Sequence, residues 1–292
     1  MSEIDNIVKE IRDAGIGNKV DEKLLEKYSV RKSDEKDVPT RDGVTHIYIY
    51  TPVIQKNKYP LFLNIHGGGF VKGHREQDVV FSRNVCSNAE SVVIDIDYTP
   101  APEQKFPYAL HQCYDVLVWA MENADNLKID TENVIICGHS AGGNLATGVC
   151  LLAQKSENIR IRLQILDYPA LDLFTPPEFK RNAYATERLF PEKCRLYNDL
   201  YIDEANRLNP LASPSFAPEE MLKGMPEAIV ITCGDDILGE EGEKYAYKLV
   251  QSGVTVTSKR FLNSSHGFVV QRKGDYVEAE KIIFSKIKNI AN

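Results

Sequence analysis

The sequence predicts an α/β protein: a mostly parallel central sheet flanked on both faces by helices. Three observations carry this. From residue 61 onward, short strand-like runs alternate with longer helix-like stretches, the order that parallel βαβ units require. The central runs, at 61–65, 91–96, 133–137 and 228–233, are short and mostly apolar, as strands buried on both faces are. Finally, Gly138-His139-Ser140-Ala141-Gly142 sits between one such run and a helix-like stretch, where a strand–turn–helix elbow would expose a serine at the carboxyl edge of the sheet.

The elements follow in order. Ile4, Ile7, Val8 and Ile11 recur at helical spacing and predict an amphipathic helix over residues 2–13, with a second short helix near residues 20–29. Thr45-His46-Ile47-Tyr48-Ile49-Tyr50 is a β-rich run closed by Thr51-Pro52. Further strands are predicted over residues 61–65, 91–96, 133–137, 160–166, 228–233 and 255–261. Helices are predicted over about 76–89, 107–123, 141–155, 240–252 and 275–290. Residues 170–225 break the alternation, with prolines such as Pro176, Pro191 and Pro214 and aromatics such as Phe174, Tyr184, Tyr197 and Tyr201. This stretch is too long for an ordinary connection and too apolar for a disordered linker. It predicts a cap insertion over the strand ends, within a domain of residues 41–292, and residues 1–40 are expected to join the cap.

Composition narrows the function. The chain has 292 residues, 43% hydrophobic and 26% charged, enough for a sizeable core. Its 35 basic and 42 acidic residues give a net charge of −7, which argues against a nucleic-acid partner. The acidic, amphipathic first ten residues lack the features of a secretion signal, and no apolar run reaches the roughly 18 residues of a membrane span. Six cysteines are scattered without CxxC or zinc spacing; Cys137 and Cys233 lie in strand-like runs and read as buried thiols. The expectation is a cytoplasmic protein with no membrane and no nucleic-acid partner.

The chemistry centres on Ser140. A serine hydroxyl is a weak nucleophile until a base takes its proton and a turn aims it at a substrate. Three segments supply the remaining groups. His66-Gly67-Gly68-Gly69 follows the strand at 61–65, and consecutive glycines can turn backbone N–H groups toward a developing oxyanion. The N–H of Ala141 would complete that hole. Gly234-Asp235-Asp236 follows the strand at 228–233. Two aspartates compete there to orient a histidine; the pattern favours Asp236, with Asp235 capping the turn. Ser265-His266-Gly267 follows the strand at 255–261 and its loop. The order Ser140, Asp236, His266 is the nucleophile–acid–base order of α/β-hydrolases. Among the other histidines, His46 and His111 read as structural, His74 as a residue that could edge the site, and His66 as a brace for its own loop. No His/Asp/Glu grouping has metal-ligand spacing, so no metal is expected.

With these residues in view, the chain resembles the hormone-sensitive-lipase-like branch of the α/β-hydrolases, which holds many microbial carboxylesterases. His66-Gly67-Gly68-Gly69 corresponds to its HGGG loop. The run from Asp97 to Pro107 resembles its Y-R-L-A-P-E-x-x-F-P segment, and Asp236-Ile237-Leu238 with Glu241-Gly242 resembles D-P-L-R-D-E-G. The resemblance implies Ser140, Asp236 and His266 as catalytic triad and the N–H groups of Gly68, Gly69 and Ala141 as oxyanion hole. It also implies a largely helical cap, an acyl-enzyme route, small ester substrates of short to medium acyl length, no cofactor, and a homodimer as one assembly state it allows. The non-catalytic gibberellin receptors of plants share the fold but lack the histidine present here as His266. Amide hydrolysis or deacetylation remain open alternatives, because substrate choice lies in the cap. The chain departs from the family where His139 replaces the usual aspartate before the nucleophile, and where Tyr98-Thr99-Pro100 replaces Tyr-Arg-Leu.

Overall fold

A computed structural model of the chain describes residues 3–14, 22–182 and 189–291. Eight strands form one sheet: β1 (Lys32–Thr40), β2 (Gly43–Thr51), β3 (Tyr59–Ile65), β4 (Val92–Asp97), β5 (Ile129–His139), β6 (Ile161–Asp167), β7 (Glu227–Asp235) and β8 (Val256–Ser265). Their lateral order is β1-β2-β4-β3-β5-β6-β7-β8. The pairs β1–β2 and β2–β4 are antiparallel; every later pair is parallel. All seven residues of β3 are buried, as expected of a central strand covered on both faces.

Two apolar layers cover the sheet. On one face, helices Tyr108–Glu122, Ala141–Ala153 and Gly239–Gln251 pack with Leu61, Leu63, Val134, Ile136 and Val230. On the other, helices Glu76–Ala89 and Tyr276–Ala291 bury Phe81, Val85, Ala279, Ile283 and Ile287 against Phe62, Ile135, Ile165 and Ile229. The spacing of Ala279, Ile283 and Ile287 is one helical face, which is why that segment folds as a helix and docks there.

One boundary differs from the sequence reading. The sheet begins at Lys32, with Lys32–Thr40 paired along its whole length to β2, so only the chain before that strand is free to join a cap. Lys32-Ser33-Asp34-Glu35-Lys36-Asp37 carries no apolar alternation, because this edge strand faces water over most of its length. Helices Glu3–Asp13 and Glu22–Lys27 precede β1, and helix Pro191–Tyr201 is inserted between β6 and β7. Tyr184 and the expected starts of the first two helices, at residues 2 and 20, lie outside the described residues.

Helices Glu3–Asp13 and Pro191–Tyr201 are bonded to the loops after β3 and β4. Arg12 donates from Nε to the Val71 carbonyl (3.0 Å) and from Nη2 to that of Ala101 (3.2 Å), and forks onto Glu103. Phe70 stacks on Tyr201 with ring centroids 3.7 Å apart. All six cysteines are buried and free. No helix among the described residues is long and apolar enough to cross a membrane.

Candidate active site

Ser140 is the turn residue between β5 and the helix Ala141–Ala153, with φ 55° and ψ −114°. A non-glycine residue held there stores strain of order 1–3 kcal/mol, which the surrounding structure must impose. It does so by hydrogen bonds. The Ser140 N–H donates to the Asp167 carbonyl (2.9 Å), and the Ser140 carbonyl accepts from Ala170 N–H (3.1 Å). The turn also needs glycine at 142, because a Cβ there would stand 2.0 Å from the Ile65 carbonyl oxygen.

The three strand ends converge as their positions on the sheet require. His266 follows β8 directly, and its Nε2 is 2.9 Å from Ser140 Oγ. Its Nδ1 is 2.8 Å from Asp236 Oδ2. Since a carboxylate only accepts, Nδ1 carries the proton and Nε2 is left to accept from the serine hydroxyl. Asp236 is fully buried, and its other oxygen accepts the Leu238 N–H at 3.0 Å. The turn-capping bond therefore belongs to Asp236 and not to Asp235, which is exposed at the end of β7.

The glycine loop runs against the nucleophile: a Cβ on Gly67 would lie 3.4 Å from Ser140 Cβ. Gly68 and Gly69 adopt φ of 133° and 63°. Among the described residues their N–H groups make no backbone hydrogen bond, and Ala141 stands at the first position of its helix, where no intrahelical acceptor exists. The Gly67 carbonyl accepts from His66 Nδ1 (2.9 Å) and Arg75 Nη2 (3.2 Å), which fixes the peptide plane that carries the Gly68 N–H. Burial holds the His66 pKa down to about 3, so the ring is neutral and braces the loop as a donor.

His74 does not line the cavity at Ser140. Burial opposes its charge, but Asp95 at 2.8 Å outweighs burial and raises its pKa to about 9. His139 is buried against the edge of Phe81; its Nδ1 is 3.0 Å from Asp167 Oδ2 and its Nε2 is 3.2 Å from Asn64 Oδ1. With Cys137 and Asp167 it forms the one tight group of three candidate ligands among the described residues, a grouping hidden in sequence by the 27 positions between His139 and Asp167. Burial pushes the Cys137 thiol far up, and the two ring nitrogens face different partners. The trio is a buried polar knot next to Ser140.

The cavity at Ser140 measures about 140 Å³ and is lined by the glycine loop, Tyr168, Leu189, Tyr197, His266 and Val270, with Lys72, Arg75 and Lys193 around it. Tyr168, held at φ 41°, presents its ring 5.0 Å from that of His266. Sequence reasoning did not single out Tyr168 or Arg75. Tyr168 had a usable signal, since it directly follows a strand end in the parallel sheet.

A strand–serine–helix elbow on a mostly parallel sheet, with a histidine and a carboxylate from the next strand ends, defines an α/β-hydrolase. The comparisons agree. The family profile described as the alpha/beta hydrolase fold matches residues 62–270. An arylesterase of Saccharolobus solfataricus is 35% identical over 250 residues, covering 85% of this chain and 80% of that protein. A hyperthermophilic esterase of the archaeon Pyrobaculum calidifontis superposes with a TM-score of 0.86 at 29% identity, covering 99% of this chain and 94% of the other. A thermostable carboxylesterase cloned from a metagenomic library gives a TM-score of 0.87 at 28% identity, covering 100% and 98%. The chain belongs to the α/β-hydrolase fold family and stands among its carboxylic ester hydrolases.

Proposed function

We propose that the protein is a serine carboxylesterase acting through an acyl-enzyme. Ser140 Oγ attacks the ester carbonyl while His266 Nε2 takes its proton. The oxyanion is met by the N–H groups of Gly68, Gly69 and Ala141. His266 returns the proton to the leaving alcohol, then activates water to hydrolyse the acyl-enzyme, and Asp236 holds the imidazole in the tautomer both steps need. The observation that carries this reading is the continuous path from Asp236 Oδ2 through the imidazole to Ser140 Oγ, with contacts of 2.8 and 2.9 Å.

The small cavity, about 140 Å³, supports acyl groups of short to medium length, roughly two to eight carbons. The six free cysteines support a reducing, cytoplasmic setting. A cap formed by the chain before β1 together with about 170–225, over a hydrolase domain formed by the rest, fits the same reading.

The test is direct. Ser140→Ala should abolish hydrolysis of nitrophenyl acetate and butyrate while circular dichroism stays unchanged, and a serine-reactive phosphonate should label Ser140. Label on another serine, or retained turnover in the variant, overturns the mechanism. Faster turnover of emulsified long-chain lipid than of dissolved butyrate ester overturns the chain-length assignment.

A further inference from the structure

The catalytic cavity has a charge unlike that of the molecule. The chain carries −7 overall. Around Ser140, however, the described lining contains Lys72, Arg75 and Lys193 and no aspartate or glutamate. Gln77 and Gln271 add neutral donors to the same wall. Lys72 Nζ donates to the Ala14 carbonyl at 2.5 Å, and Arg75 is held by the glycine loop. Its Nη2 is fixed to the Gly67 carbonyl, and its nearest carboxylate, Asp78 Oδ2, stands 3.9 Å from Nε. That Nε is buried without a hydrogen-bond partner. A cleft walled by protein and lined by one sign of charge focuses the field at its floor, and it concentrates counter-charged substrates by roughly 10-fold or more.

We propose that the physiological substrate is an anionic ester: a small acyl group on an alcohol that bears a carboxylate or phosphate, which Arg75, Lys72 and Lys193 hold beside Ser140. The proposal rests on the esterase reading and adds a substrate class to it. Arg75 and Ser140 line the same cavity, so an anionic ester bound there meets both the guanidinium and the serine. Positive charge here also assists the oxyanion, so neutral esters are still substrates, with a lower kcat/KM.

The experiment compares isosteric esters with the same leaving alcohol chain, following acetate release: acetoxyhexanoate, neutral acetoxyhexanamide, acetoxybutyl phosphate and a cationic acetoxyalkyl-ammonium. We expect kcat/KM for the preferred anion to exceed that of the amide roughly 10-fold or more, with the ammonium ester slowest. The gap should collapse between about 10 mM and 0.5 M KCl, where screening shrinks to a few ångströms. Carboxylate against phosphate then identifies the anion. Arg75→Gln and Lys193→Gln should each lower kcat/KM for the anionic ester several-fold more than for the amide. Equal kcat/KM for anionic and neutral esters, with good turnover of both, overturns the proposal and leaves the esterase reading standing. Failure to hydrolyse any of the four, or nitrophenyl acetate, overturns the esterase reading itself.

Discussion

Asp235 and Asp236 are neighbours in sequence with opposite surroundings. Asp236 is fully buried against His266, while Asp235 faces solvent. Asp236→Asn should therefore lower kcat by roughly 10³–10⁴, because an amide favours the wrong imidazole tautomer, whereas Asp235→Asn should cost less than a few-fold. Steady-state kinetics on nitrophenyl acetate decide it, and the reverse ranking would exchange their roles. His139 yields a second prediction. With Asp167 Oδ2 already 3.0 Å from the ring, His139→Asp would set two carboxylates together in a buried place. Such a pair cannot ionise freely, and the cost should approach roughly 3 kcal/mol of stability, read as a lower midpoint in urea unfolding. Adding Asp167→Asn should recover much of it; no loss in the single variant would mean that the site relaxes. Ser140, Asp236 and His266 were legible in sequence because each directly follows a strand of one parallel sheet. Asp167 and Arg75 were not, since their importance comes from neighbours brought up from other strands.

At the scale of elements, a buried ion pair joins the connection between β6 and β7 to the helix Gly239–Gln251. Glu241, in the helix Gly239–Gln251, accepts the Leu171 N–H at 2.6 Å and lies 2.5 Å from Lys180 Nζ, with both side chains less than 10% exposed. Lys180 also donates to the Asp172 carbonyl. Removing one partner of such a pair strands the other charge, so Lys180→Met should destabilise the protein by about 3–5 kcal/mol, while the double change Lys180→Met, Glu241→Leu should be milder. Thermal unfolding of the two variants measures this, and equal losses would show that the backbone bonds to Glu241 matter more than the charge. The strands β3 to β7 were readable because burial on both faces leaves a mostly apolar run in each. The edges were less so: β1 is a charged strip paired on one side, and β8 continues through Asn263, Ser264 and Ser265 to deliver His266, where polarity suggested a loop.

At the scale of the whole molecule, the polar groups behind the site form a row across the sheet. Asn64 on β3 is in register with Asp95 on β4 and Cys137 on β5, and His139 on β5 with Asp167 on β6. Asn64 Nδ2 donates to Asp95 at 2.9 Å, and the other Asp95 oxygen is 2.8 Å from His74 Nε2, just past the glycine loop in the chain. The row ties the elbow, the loop and the sheet into one unit, so its charge state bears on global stability. The folded pKa of His74 is raised to about 9, from 6.5 when unfolded. Its stabilisation is therefore complete below the unfolded value and is lost as pH rises through about 9. Despite burial, His74 and Asn64 keep the Asp95 pKa below its usual range, so Asp95 stays ionised throughout. Glu241, raised to about 7 by burial against the pull of Lys180, titrates mostly below the upper part of this window. Between about pH 7.5 and 9.5 both wild type and variant lose stability as the buried cysteines, whose thiols burial pushes up, ionise in the unfolded chain. The wild type should lose about 2 kcal/mol more than His74→Gln, which keeps a donor toward Asp95 but has no proton to lose, and which should start less stable. Parallel pH profiles for the two proteins would mean that the His74–Asp95 pair does not contribute to the stability of the fold.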